Sequence, residues 1–176
     1  MIEIELKGYA NDRIFRRVRE KFEFMRKEEQ EDIYFQHPCR NFAETDEALR
    51  IRIKRFNGHL EAFLTYKGPK LDNMSKTRRE IEVPISDVKL YLDILNSLGF
   101  EKVITIEKIR EKYYVEKGIT ITLDEVKGLG KFVEVEELAT EEAEIKKEVE
   151  KLKNILLALG VRQFERKSYL ELISER

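Results

Sequence analysis

The stretch Glu3-Ile4-Glu5-Leu6-Lys7, near the start of the chain, alternates charged and aliphatic residues. In a β-strand, successive side chains point to opposite faces, so the three charges would share one face and the two aliphatic residues the other. Taken alone, this alternation is typical of any half-solvated antiparallel sheet. Its meaning therefore depends on whether other strands of the chain repeat it.

Later segments do repeat the alternation, with charged residues two positions apart opposed by apolar ones. The charged sets that share a phase are Arg50, Arg52 and Lys54; Glu61 and Lys67; Arg78, Glu80 and Glu82; Lys108 and Arg110, which Ile104 and Ile106 precede on the same face; Asp124, after Thr120 and Thr122; and Glu134 and Glu136. The repetition indicates several strands that each carry one charged face.

A period of two predicts strands over residues 2–9, 31–37, 48–56, 60–67, 78–84, 102–115, 119–126 and 131–137. Asn57-Gly58 is a strong hairpin turn, and tight turns between successive strands favour an antiparallel sheet over βαβ units. Helical spacing predicts helices from Asn11 to Glu29, from Ser86 as N-cap to Leu98, and from Thr140 to Leu159, with a short turn near 168–173. Residues 72–77 are predicted to form a mobile loop.

The three amphipathic helices need apolar partners, and the aliphatic faces of the strands are suited to that role. The charged faces would then point to solvent or toward each other. About eight strands can close into a barrel whose interior holds side chains or a small ligand. We therefore predict an α+β fold in which an antiparallel eight-stranded β-barrel, or tunnel, carries helices on its outside. The 176 residues suit a single domain over 1–176.

The overall composition bounds the classes of partner. Charged residues make up 39% of the chain, but 34 Lys and Arg against 35 Asp and Glu leave a net charge of only -1. A nucleic-acid partner is therefore not expected, and any anion site must be local. No apolar run long enough to span a membrane is present. The single Cys39 excludes an intrachain disulfide and favours a cytoplasmic location. A homodimer is the default oligomer.

Charges of both signs inside a barrel require compensation. A polyphosphate with divalent metal ions supplies it, because phosphate oxygens pair with Lys and Arg and hard cations pair with carboxylates. The charge pattern therefore favours a metal-dependent triphosphate site.

The opening EIELK also resembles the ExExK signature of the CYTH superfamily, the triphosphate tunnel metalloenzymes. Other family-like segments follow in order: DIYF (32–35), ALRIR (48–52), TYKGP (65–69), RREIEV (78–83), EKIR (107–110), LDEVKGLGKFVEVE (123–136) and KSYLELI (167–173). The last segment is similar to the ending of class IV adenylyl cyclases. The resemblance thus extends over nearly the whole chain.

This resemblance implies roles for individual residues. Phosphate oxygens would be bound by Lys7, Arg50, Arg52, Lys67, Arg78, Lys108 and Arg110. One or two Mg²⁺ or Mn²⁺ ions would be held by Glu3, Glu5, Asp124, Glu134 and Glu136, with Glu80 and Glu82 balancing bases or assisting with metal. The implied catalytic residues are Lys7, Glu5 and Glu134.

Three functions remain open at this point. The leading hypothesis is hydrolysis of a nucleoside, thiamine or inorganic triphosphate, in which water attacks the terminal phosphorus. The second is cyclisation of ATP to cyclic AMP and pyrophosphate, which would use the same charged lining. The third is a non-enzymatic polyphosphate- or nucleotide-binding module, which the carboxylates disfavour because anion binding needs bases more than acids. An RNA 5′-triphosphatase finds no support in the neutral net charge.

Overall fold

The computed structural model describes residues 2–71, 75–139 and 145–175, and this part of the chain forms eight strands and four helices. In chain order they are β1 (Ile2–Tyr9), α1 (Asp12–Lys21), β2 (Glu23–Gln36), β3 (Ala48–Phe56), β4 (His59–Lys70), β5 (Arg78–Ile85), α2 (Val88–Ser97), β6 (Glu101–Glu116), β7 (Ile119–Val126), β8 (Gly130–Ala139), α3 (Ile145–Leu159) and α4 (Tyr169–Ser174). The strands close into an antiparallel barrel in the order β1-β5-β4-β3-β2-β6-β7-β8. The predicted α+β barrel is confirmed.

Helices cover the aliphatic outer faces of several strands. Ile4 and Leu6 of β1 form one core with Leu152 and Leu156 of α3 and with residues of α1, β7 and β8. A second core joins Leu95 of α2 to aliphatic residues of β3 and β4. Because the strands that pack under a helix turn their aliphatic side toward it, their charged side is left facing the inside of the barrel. On β5 and β6 the outward aliphatic residues Ile81, Val83 and Ile109 are exposed instead.

Strand register decides which charges meet inside. Residues directly opposite each other on antiparallel strands project from the same face. Glu5 of β1 is opposite Glu136 of β8, and Lys7 is opposite Glu134. Elsewhere the register places Arg52 opposite Asp32, Arg110 opposite Asp124, and Lys67 opposite Glu80. The wall between β1 and β8 is therefore mainly acidic, and most of the basic residues come from the other strands.

The first helix is shorter than the sequence predicted. It begins as expected, with the Asn11 side chain accepting a hydrogen bond from the Ile14 amide at 3.0 Å, but it ends at Lys21. The predicted helix through Glu29 was wrong, because residues from Glu23 onward pair with β6 as strand β2. Helical spacing of apolar residues is a local signal, and pairing with a partner strand overrode it.

The other helices differ from expectation only at their ends. Asp87, not Ser86, caps α2 by accepting a hydrogen bond from the Leu90 amide. Ser168 caps α4 in a reciprocal capping box with Glu171. The predicted start of the third helix at Thr140 lies outside the described residues. No helix in the described ranges is long and apolar enough to cross a membrane.

The predicted mobile loop is described only at its C-terminal end. Residues 72–74 lie outside the described part of the chain. Ser75 and Thr77 are buried and hydrogen-bond to each other. The amide of Lys76 donates to the carbonyl oxygen of Glu5 at 2.9 Å. These contacts attach the residues before β5 to the inner edge of β1.

Candidate functional site

The inside of the barrel is a cavity of about 870 Å³ lined largely by charged side chains. Of the residues predicted to form the site, those that line it are Glu3, Glu5, Arg50, Arg52, Lys67, Arg78, Glu80, Glu82, Lys108, Arg110, Glu134 and Glu136. Lys7 and Asp124 are buried behind Tyr169 of α4, which lines the cavity itself. The tertiary structure therefore gathers residues from strands far apart in sequence around one enclosed space.

One wall of the cavity carries carboxylates from β1 and β8. Glu5 and Glu134 are both almost fully buried there. Burial, and then the charge of Glu134, raises the pKa of the Glu5 carboxyl. Burial acts in the same direction on Glu134, but the cations of Lys76 and Arg110 outweigh it and hold the pKa of that carboxyl well below its usual value. A pair of neighbouring carboxylates thus depends on added positive charge.

In this structure, Lys76 supplies part of that charge. Its Nζ contacts Glu5 Oε1 and lies 3.1 Å from Glu134 Oε1. Arg110 adds a second cation, with Nη2 2.5 Å from Glu134 Oε2. Sequence reasoning missed Lys76 as a site residue because it precedes β5 in a presumed loop. Its position two residues before Arg78, in phase with the charged face of β5, was the available signal.

The opposite side of the cavity is organised around Asp32 of β2. Both oxygens of Asp32 accept hydrogen bonds from Arg52 at 2.6 Å. Lys108 Nζ lies 3.6 Å away and Arg50 Nη1 3.8 Å away. These three cations outweigh burial and hold the pKa of Asp32 well below its usual value. Asp32 therefore fixes three predicted phosphate-binding bases close together, a role that sequence reasoning had not assigned to it.

The bases remain crowded despite these partners. Burial, followed by the charges of Arg110 and Arg52, lowers the pKa of Lys108 to about 7. In the described part of the chain, the buried Nε of Arg50 has no hydrogen-bond partner. The lowered pKa of Lys108 indicates excess positive charge in this region, and Arg50 Nε is an unused hydrogen-bond donor. An anion that enters the cavity would compensate the charge and accept the hydrogen bond.

Lys7 has a different environment from the other bases. Its Nζ donates to the carbonyl oxygen of Lys167 and lies 4.2 Å from the centre of the Tyr169 ring. Burial, and then the charge of Lys76, lowers its pKa to about 7. The Tyr169 hydroxyl donates to Asp124 at 2.9 Å. Tyr169 of α4 therefore contacts both Lys7 and Asp124 at one end of the cavity.

The remaining predicted residues pair with each other or with the nearby loop. Lys67 contacts Glu80 and lies 3.8 Å from Glu3, while Glu82 accepts a hydrogen bond from Thr65 at 2.9 Å. Arg78 is turned away from the acidic wall, with Nη1 donating to the Gly68 carbonyl at 3.1 Å. Glu80 and Glu82 thus lie beside bases, as a charge-balancing role requires.

The donor chemistry of the acidic wall suits a hard divalent cation, since carboxylate oxygens are the ligands that Mg²⁺ and Mn²⁺ prefer. Among the described residues, however, no three acidic, histidine or cysteine side chains converge closely enough to hold an ion. Lys76 and Arg110 lie between and beside the carboxylates and take up their charge. Glu3, Glu5, Glu134 and Glu136 therefore fit a metal by chemistry, and Lys76 would have to give way to it.

Comparison with known proteins assigns this barrel to a known domain family. The CYTH domain model matches residues 1–169. A solved Pyrococcus horikoshii structure is 68% identical, with a TM-score of 0.97 and 98% of each chain covered. A Methanocaldococcus jannaschii protein, whose name gives it provisionally as an adenylate cyclase, is 45% identical over 98% of each chain. The adenylate cyclase CyaB of Aeromonas hydrophila is 29% identical over 84% of this chain and 73% of its own.

Proposed function

Because the chain belongs to the CYTH domain family, we propose that it is a divalent-metal-dependent enzyme that hydrolyses a triphosphate inside the barrel. The observation that carries the proposal is the cavity, in which the acidic wall of β1 and β8 lies opposite a crowded set of bases. A triphosphate with bound cations satisfies both sides at once.

The lone Cys39 supports a cytoplasmic location.

The residues divide into two groups by charge. Phosphate oxygens would be bound by Arg50, Arg52, Lys67, Arg78, Lys108 and Arg110, with Lys7 adding positive charge at the Tyr169 end. Mg²⁺ or Mn²⁺ would be held by Glu3, Glu5, Glu134 and Glu136, while Asp124, also predicted as a metal ligand, pairs with Arg110 behind Tyr169. When bound, such an ion neutralises phosphate charge and lowers the pKa of water. Glu5 and Glu134 would orient the attacking water by accepting its hydrogen bonds.

Two alternatives use the same cavity. ATP cyclisation is favoured by the adenylate cyclase names of the two relatives from Methanocaldococcus jannaschii and Aeromonas hydrophila. In that reaction the ribose 3′-hydroxyl attacks the α-phosphorus and pyrophosphate leaves. We rank hydrolysis first because water needs no placement of a sugar hydroxyl. A binding module without catalysis is disfavoured by the buried carboxylates, which repel phosphate unless cations accompany it.

A product assay separates the three possibilities. The protein is incubated with ATP, inorganic triphosphate or thiamine triphosphate in the presence of Mg²⁺ or Mn²⁺, and the products are resolved. We expect orthophosphate. Cyclic AMP with pyrophosphate would select the cyclase instead, and tight triphosphate binding in calorimetry without any product would select the binding module.

Arg52→Ala is expected to weaken triphosphate binding. Its guanidinium lines the cavity and forms paired hydrogen bonds with Asp32. Loss of a charge-assisted contact costs about 1.5–3 kcal/mol, which corresponds to a KM increase of roughly 10- to 100-fold. Arg55→Ala is the control, because Arg55 lies on the same strand but is exposed and pairs with Glu31. An unchanged KM in Arg52→Ala would refute this placement.

Lys76→Gln is expected to tighten metal binding in the absence of substrate. In the wild type an entering ion must displace the Lys76 ammonium from Glu5 and Glu134. Removing that cation leaves Glu5 without its ion-pair partner and Glu134 with Arg110 alone, so the affinity for Mn²⁺ should rise by at least about tenfold. Calorimetry with MnCl₂ alone measures this, with the exposed Lys127→Gln as control. Weaker Mn²⁺ binding in Lys76→Gln would show that Lys76 does not compete with the ion.

A further inference from the structure

Glu28 and Gln30 of β2 project into the same cavity, outside the set of residues that bind phosphate or metal in the proposed function. They are only 2% and 3% exposed. The register places Glu28 opposite Arg110 and Gln30 opposite Lys108. The pair therefore adjoins two of the bases that would hold the phosphate chain.

The hydrogen bonds of this pair leave acceptors unused. The Gln30 side-chain amide donates to Glu28 Oε1, and because a carboxylate only accepts, this contact sets which end of the amide carries the oxygen. Among the described residues, Gln30 Oε1 then has no hydrogen-bond partner. Glu28 Oε2 lies 2.8 Å from Arg26 Nε as an ion pair, but without hydrogen-bond alignment. Buried acceptors of this kind are normally satisfied, so these two atoms present unused acceptors to the cavity.

A group that binds these acceptors must be a hydrogen-bond donor. A phosphate oxygen would meet the Gln30 carbonyl and the Glu28 carboxylate as a third acceptor and be repelled. An N–H or O–H group would complete the set. This part of the cavity is therefore suited to the portion of a substrate that is not phosphate and that carries donors.

We propose that Glu28 and Gln30 form the subsite for the organic group of the substrate, and that this group carries an N–H or O–H donor that binds Gln30 Oε1, as the sugar hydroxyls or exocyclic amine of a nucleoside triphosphate would. The inference rests on the proposed function, because it takes the neighbouring Lys108 and Arg110 to hold the phosphates. It narrows the substrate class from any triphosphate to one with a donor-bearing organic group. The aminopyrimidine of thiamine triphosphate offers the same chemistry.

The test compares ligands that share the phosphate chain and differ in the organic group. Calorimetry measures the affinities of ATP, thiamine triphosphate and inorganic triphosphate for the wild type and for Gln30→Met, which keeps the side-chain length and removes the acceptor. Gln163→Met is the matched control, because Gln163 is exposed. Leaving the donor unpaired should weaken the binding of ATP or of thiamine triphosphate by at least about tenfold in Gln30→Met, with the inorganic triphosphate affinity unchanged within twofold.

The outcomes are separable. A loss for ATP or for thiamine triphosphate, with inorganic triphosphate unaffected, supports the proposal, and the ligand that loses affinity identifies the organic group. Equal losses for all three ligands, or no loss for any, would overturn the subsite. If Gln30→Met does not fold, the wild type decides by itself: if neither ATP nor thiamine triphosphate binds more tightly than methyl triphosphate, the proposal is contradicted. Failure of the wild type to bind inorganic triphosphate would instead refute the proposed function.

Discussion

Glu5→Gln should lower metal-dependent turnover of triphosphate by about a thousandfold or more while the barrel remains folded. Glu5 faces the cavity beside Glu134, and loss of one carboxylate from a metal site removes several kcal/mol of charge stabilisation, about 4 kcal/mol for a thousandfold effect. Folding should tolerate the change, since burial and the charge of Glu134 already raise the pKa of Glu5 and so disfavour its charged form. A neutral amide of the same size is a close substitute in the folded state.

Glu134→Gln should abolish turnover equally but cost more stability. Glu134 is held ionised by Lys76 and Arg110, so neutralising it leaves both cations short of a partner. The measurements are the rate of orthophosphate release with Mn²⁺, Mn²⁺ affinity by calorimetry, and thermal unfolding by circular dichroism. Glu125→Gln is the control, because Glu125 lies on the outer face of β7 and is exposed. If turnover in Glu5→Gln stayed within tenfold of wild type, Glu5 would not be a metal ligand.

Asp32→Asn should cause a larger loss of stability than Arg52→Ala, Glu5→Gln or Glu134→Gln. Asp32 is 1% exposed and compensates Arg52, Lys108 and Arg50. Removing one partner from a buried ionic cluster costs about 3–5 kcal/mol, which corresponds to a fall in Tm on the order of 10 °C for a chain of this size. Inorganic triphosphate should restore part of the loss, since its charge replaces the missing carboxylate.

The same residue predicts a dependence on pH. The pKa of Asp32 is lower in the folded than in the unfolded protein. The ionised carboxylate therefore contributes fully to the free energy of unfolding at a pH above the pKa of about 4 that Asp32 has in the unfolded chain. As the pH falls below that value, the unfolded chain binds the proton more readily and stability declines. Asp32→Asn should lack this part of the acid-side decline.

Denaturant unfolding at pH 7 and between pH 5 and 3 measures both effects. Asp93→Asn is the control, because Asp93 is exposed on α2. A free energy of unfolding within 1 kcal/mol of wild type at pH 7, which is below the range expected for a buried pair, would show that the bases do not depend on Asp32. An acid-side slope identical in Asp32→Asn and wild type would contradict the assigned pKa direction.

Much of the candidate lining could be predicted from local sequence. The alternation in residues 3–7, 50–54 and 134–136 assigns those charges to one face, and the structure directs each of these faces into the cavity. Three other residues that structure the cavity escaped prediction. Asp32 and Gln30 lie on β2, whose beginning resembled a helix, and Lys76 precedes its strand. Lys76 extends the in-phase charges of β5 by one position, which was a usable local signal, whereas no local pattern distinguishes Asp32 or Gln30.

By itself, the sequence determined which side chains share a face, because the period of two is a property of the strand backbone and needs no partner. It also determined the fold class, because aliphatic faces that pack under helices leave charged faces for the interior. Only the tertiary structure decided which charges meet. Register between strands far apart in sequence brings Asp32 to Arg52 and Lys108, and closure of the barrel brings Lys76 between Glu5 and Glu134. The energies that decide these meetings depend on distance in space, which position along the chain does not specify.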